Sequence, residues 1–181
     1  MTRGGRALAV LLIAGWVLAG PGQATAAPMQ ASLEYSVKAN YLVRFAAFVE
    51  WPPRAFASPQ APVVICVAGR DPFGAVLTDA ARAQTAFGRS LTVRRPTTAA
   101  ATAGCHILYV GQGAAALVAG TAAQPGLLVV TDAAVSPDRG AIHFVVAEDR
   151  VRFHIDQQAA ARSSLSISSR LLNLALTVRG R

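Results

Sequence analysis

Apolar residues recur along this chain in patterns that can be read as elements. From Leu33 onward they return at helical spacing, at Leu33, Val37, Tyr41, Arg44 or Phe45, and Phe48. Ser32 offers an N-cap and Glu34 a favourable charge in the first turn. Pro52 and Pro53 stop the helix and push Trp51 toward an extended conformation. The pattern predicts a helix over 33–50. Next, Val63-Val-Ile-Cys-Val67 is a continuous apolar run, the signature of a strand covered on both faces. Asp71-Pro72-Phe73-Gly74 then opens a helix, with Asp71 as N-cap and Pro72 in first position, running to about Gln84.

Leu91 to Arg95 alternates like an edge strand, and residues 97–104 read as a short helix or loop. Cys105 to Val110 is another buried strand, Ala114 to Ala123 a short helix, and Leu127 to Thr131 another strand. This alternation predicts one α/β domain with a mostly parallel central sheet and helices on both faces. A C-terminal antiparallel hairpin breaks it. Pairing 142 with 155, 144 with 153 and 146 with 151 gathers Ile142, Phe144, Val146, Val151, Phe153 and Ile155 on one apolar face. The other face carries His143 opposite His154. Glu148-Asp149 is not a favoured two-residue turn, so a wider loop is expected. Asp156 can cap a helix over 157–162, and a further helix is expected from Ser168 to about Leu176.

The first residues read as an address. Arg3 and Arg6 form a basic start, Ala7 to Ala19 is an apolar run too short to span a bilayer, and Ala24-Thr25-Ala26 is a cleavage site. A signal peptide over 1–26 and an exported domain over 27–181 are therefore expected. Loss of Arg3 and Arg6 leaves 15 basic and 9 acidic side chains, or +6. The basic residues are dispersed and not interleaved with aromatics, which argues against nucleic acid as a partner. Sixteen of the chain's bases are arginine and one is lysine, a bias consistent with GC-rich coding. Cys66 and Cys105 would face an oxidising compartment, either as a disulfide worth about 4 kcal/mol or as two separate buried thiols.

Several motifs invite chemistry. Gly111-Gln112-Gly113-Ala-Ala-Ala116 follows a strand and is trailed by Asp132, the spacing of a dinucleotide fingerprint. The plainer reading is a tight strand-to-helix turn. His143 and His154, with Asp156 or Cys105-His106 nearby, supply too few placed ligands for a zinc site, and no metal or cofactor is expected. The serines at 163, 164, 166, 168 and 169 have no nucleophile elbow, so no catalytic residue is expected. Ser168 reads as an N-cap. Ser168, Ser169 and Arg170 form a candidate pocket for a small ligand or a partner. Trp51 reads as a core plug or an interface anchor.

Five segments, in order, carry a family resemblance: Lys38 to Pro52; Val64-Ile-Cys-Val67 with Asp71-Pro-Phe-Gly74; Gly104-Cys-His-Ile-Leu-Tyr109; Ile142 to Ile155; and Leu165 to Leu172. Together they resemble the YfiR family of periplasmic proteins from about Glu34 to Ala175. The resemblance implies a small non-enzymatic α/β domain, typically homodimeric. It would bind and repress the periplasmic part of an inner-membrane diguanylate cyclase, and so control cyclic-di-GMP. In the family an outer-membrane lipoprotein can sequester the repressor, and cysteine redox state contributes. By position Cys66 and Cys105 match the family's disulfide pair; a second pair found in some relatives is absent here. The candidate partner surface is the 33–50 helix and its Trp51 end, at Phe48, Glu50 and Trp51. The alternative is a periplasmic small-molecule sensor with its ligand at Ser168, Ser169 and Arg170. An exported enzyme would instead depend on Asp132 or His154.

Overall fold

The computed structural model describes residues 1, 27–118, 121 and 124–180. The expected signal peptide and its cleavage point lie outside the described residues, apart from Met1, as does part of the expected 114–123 helix.

Helix α1 (Ala27–Phe48) begins earlier than its expected cap. Ser32 lies inside it, and its carbonyl accepts the Ser36 hydroxyl at 2.8 Å. The helix buries Lys38, Ala39, Leu42, Val43, Phe45 and Ala46, whereas Leu33 and Val37 are 65% and 37% exposed. The buried stripe is therefore turned by about one residue from the expected one. Two apolar stripes overlap on this helix, and periodicity alone does not choose between them. The chosen stripe holds Ala39 and Ala46, whose small side chains let the helix lie close to its neighbours. The helix ends because Val49–Glu50 (β1) leave it to pair antiparallel with Ser166–Ile167 (β9). Pro52 and Pro53 follow, and Pro53–Ala55 forms a single 3₁₀ turn.

The central sheet has eight strands. Val63–Ala68 (β2), Arg89–Arg94 (β4), Ile107–Val110 (β5), Leu128–Asp132 (β6) and Ile142–Ala147 (β7) run parallel. Thr85–Ala86 (β3) is antiparallel to β4 and Arg150–Asp156 (β8) to β7, and Thr177–Arg179 (β10) runs parallel to β8. The order is β10-β8-β7-β6-β5-β2-β4-β3. The helices are α2 (Ala75–Arg82), α3 (Ala115–Val118), α4 (Gln157–Arg162) and α5 (Ser169–Leu172).

The hairpin pairs as its alternation predicts, 142 with 155, 144 with 153 and 146 with 151. The turn is a correction. Ala147 pairs with Arg150, so Glu148 and Asp149 alone make the turn, at φ 52° and 55°. Six paired positions hold both residues in a left-handed conformation that their side chains disfavour. Three other expectations are revised. The Leu91 strand is not at the edge, because β3 folds back over it through Phe87 and Gly88, both at positive φ. Asp71 does not cap α2. Its carboxylate accepts from the N–H groups of Phe73 (2.7 Å) and Gly74 (3.3 Å), making a turn ahead of a helix that starts at Ala75. The expected 168–176 helix is one turn long, because Leu176 N–H donates to Phe153 O at 2.8 Å and draws the chain into β10.

The main core lies between the sheet and α1, α2, α4 and α5. On the opposite face a smaller cluster surrounds the Cys66–Cys105 disulfide with Leu108, Val110, Ala114, Leu127 and Val129. Both cysteines are buried, with Cα atoms 5.8 Å apart.

Candidate functional site

The two surface patches singled out from the sequence meet at one corner. Val49 pairs with Ile167 and Glu50 with Ser166, and Ser168 N–H donates to Phe48 O at 2.9 Å. Ser168 caps α5, its hydroxyl accepting from Leu171 N–H at 3.4 Å. Glu50, Ser169 and Arg170 are exposed there. Phe48 and Trp51 are half-buried, packed against the main core. The indole N–H of Trp51 is buried and meets no acceptor among the described residues.

His106 pins the loop behind this corner. Its Nδ1 accepts from Val64 N–H at 3.0 Å, which leaves Nε2–H to donate to Ala55 O at 3.1 Å. Phe56 stacks on its ring at 4.4 Å, and the Arg89 guanidinium lies 3.8 Å over Phe56. Burial holds the His106 pKa below its usual value, as this neutral tautomer requires.

The most unusual chemistry is inside the domain. Lys38, the chain's one lysine, is fully buried, and its ammonium donates to Asp132 at 2.6 Å and to Glu34. The Tyr109 hydroxyl donates to the same Asp132 oxygen at 2.9 Å, and Ala134 N–H to the other at 3.0 Å. The Tyr35 ring faces the ammonium at 4.9 Å. Burial alone would lower the Lys38 pKa, but its bonds to Asp132 and Glu34 outweigh that and raise it. Burial and the Asp132 charge push the Tyr109 hydroxyl far above its usual range. The network is a locked clamp, in which the Lys38 ammonium and the Tyr109 hydroxyl both hold their protons more firmly than usual. The signal for it lay in composition. A lone lysine in an arginine-rich chain sits four residues after Glu34, at the helical spacing shared by Leu42, Phe45 and Val49.

The network also decides the fate of Asp132 as a ribose ligand: its carboxylate is spent on Lys38, Tyr109 and a main-chain N–H. His143 and His154 do lie opposite one another, rings 6.4 Å apart, with each Nδ1 against a threonine hydroxyl, Thr131 and Thr177. No group of three His, Cys, Asp or Glu able to hold a metal occurs among the described residues.

Outside the clamp, the exposed side of α1 and the hairpin form an open groove of about 590 Å³. Leu33, Val37, Val146 and Leu174 line it, all at least a third exposed. Apolar side chains gathered in this way are the usual mark of a contact surface. No helix among the described residues is long and apolar enough to cross a membrane.

The domain is thus an α/β scaffold with an internal ionic clamp, a buried disulfide and an apolar flank. Compared with known families, residues 35–176 match the YfiR/HmsC-like family, and the chain belongs to it. No curated protein matches the chain.

Proposed function

We propose that this chain is a non-enzymatic periplasmic regulator that binds and represses the periplasmic part of an inner-membrane diguanylate cyclase. Membership of the YfiR/HmsC-like family across nearly the whole domain carries the reading. The proposed contact surface runs along α1. It takes in the groove at Leu33, Val37, Val146 and Leu174, and the adjoining corner at Glu50, Ser169 and Arg170, which Phe48 and Trp51 support from beneath. The chain acts as a homodimer, and an outer-membrane lipoprotein competes for it.

The test is capture of membrane partners by the tagged mature protein from solubilised envelope, with and without reductant, read by mass spectrometry. Recovery of a GGDEF-type cyclase is expected, and its loss with Leu33→Glu or Leu174→Glu. Both side chains are more than half exposed, so both variants should fold. Recovery of other envelope proteins alone would overturn the assignment.

A further inference from the structure

A second feature lies at the carboxyl end of the sheet. The chain leaves β2 for β4 on one side, then returns to place β5 on the other, so its direction of travel reverses between β2 and β5. Open α/β sheets bind ligands outside the carboxyl ends of their strands at such a reversal. Here the two strand ends are joined by main chain. Arg70 N–H donates to Gln112 O at 2.9 Å, and Gly111 N–H to Ala68 O at 2.8 Å. A Cβ on Gly111 would stand 2.4 Å from Arg70 O, and one on Gly69 2.5 Å from Gln112 O, so glycine is needed at both. This seam sets Arg70 directly opposite Gln112 as a bridge pair.

Both border a cleft of about 300 Å³ with Tyr35, Tyr109 and Val135, and Tyr35, Arg70 and Pro72 continue into an adjoining hollow of about 430 Å³. The volumes suit a small metabolite. Neither the Arg70 guanidinium nor the Gln112 amide bonds to any described side chain. The neighbouring acids are already engaged. Asp71 is held by Arg95 at 2.6 Å and by Phe73 N–H, and Asp132 by Lys38 and Tyr109. An unpaired guanidinium on a residue that lines a cleft, with no acid left free beside it among the described residues, is matched to a planar or tetrahedral oxyanion.

We propose that this cleft binds a small molecule bearing a carboxylate or phosphate, with the oxyanion on Arg70 and a second polar contact from Gln112. The Gly111-Gln112-Gly113 turn then serves a ligand, though not through Asp132. The site is separate from the contact surface on the groove side of α1, and stands whether or not the chain represses a cyclase.

The test is calorimetric titration of the mature protein at fixed ionic strength with inorganic phosphate, succinate and glycerol 3-phosphate. Glycerol serves as the uncharged control, and NMR follows the side-chain signals of Arg70 and Gln112. Saturable binding of at least one anion is expected, with both signals moving and no response to glycerol; which anion binds identifies the headgroup. Arg70→Gln should weaken binding about tenfold or more with an unchanged unfolding midpoint. Arg54→Gln, at an exposed arginine elsewhere, should leave binding intact. The proposal is overturned if no anion binds saturably, if Arg70→Gln binds as the wild type does, or if Arg54→Gln loses as much.

Discussion

Lys38 and Asp132 stand 94 residues apart in sequence and 2.6 Å apart in the fold, with their side chains 0% and 1% exposed. The pair fastens the first helix to the middle of the sheet. Exposed pairs contribute little, because water screens them. This one is out of water, and its carboxylate also accepts from the Tyr109 hydroxyl and Ala134 N–H.

Breaking one side should therefore be costly. Lys38→Met leaves the Asp132 carboxylate buried without its cation, and is expected to lose about 3–5 kcal/mol of stability in urea unfolding. Lys38→Met with Asp132→Leu removes both charges and should recover most of that loss. A double variant as unstable as the single one would show that the clamp's packing, rather than its charges, matters.

Stability should depend on pH at both ends of the range. Burial holds His106, His143 and His154 below the usual histidine value, with Arg139 adding to the effect at the latter two. The unfolded chain then takes up protons at about pH 6.5 that the folded chain refuses, so stability falls as pH drops below that point. On the alkaline side Lys38 and Tyr109 are raised, and the folded state keeps protons that the unfolded chain releases above about pH 10. Thermal unfolding from pH 5 to 11 should show a plateau between these limits. A midpoint unchanged from pH 7 to 5 would contradict the histidine placement.

The hairpin turn offers a gain. Glu148 and Asp149 both hold positive φ, where asparagine and glycine are at ease. Glu148→Asn with Asp149→Gly is expected to stabilise the domain by about 1 kcal/mol, or roughly 2–4 °C in Tm. A lower Tm would mean that one of the native side chains makes a favourable contact.

The disulfide should brace the fold. Cys66 and Cys105 are 0% and 4% exposed, so reductant cannot reach them in the native domain. Free-thiol titration in dithiothreitol should find them oxidised until denaturant is added. Cys66→Ala with Cys105→Ala should cost about 4 kcal/mol in the chain-entropy view. Rapid reduction under native conditions would instead point to a redox switch.

Much of the fold was legible because burial writes plainly in β-branched runs and in alternation. The hairpin register followed from Ile142, Phe144, Phe153 and Ile155, since a slip by one residue would turn all four outward. Its turn was not legible, because six cross-strand pairs override the local preference of Glu148 and Asp149. The α1 stripe is ambiguous in sequence, because Leu33 and Val37 are as apolar as the core but lie in an open groove. Lys38 carries no local mark of its burial, because a lysine on a helix is usually solvated and its counter-ion comes from a strand far along the chain. The pairing of Arg70 with Gln112 is not legible in sequence, since it depends on where β2 and β5 come to lie.

The first helix is completed by the last part of the chain. Its counter-ion comes from Asp132, and the strand that follows it pairs with Ile167. A chain that emerges N-terminus first, from a ribosome or through a translocation pore, can lay α1 on α2 early, but must hold Lys38 without Asp132 and Val49 without Ile167 until most of it has passed. Folding cannot finish early, and every such molecule spends much of its passage with the buried ammonium of its first helix and the strand behind it open to any chaperone waiting there.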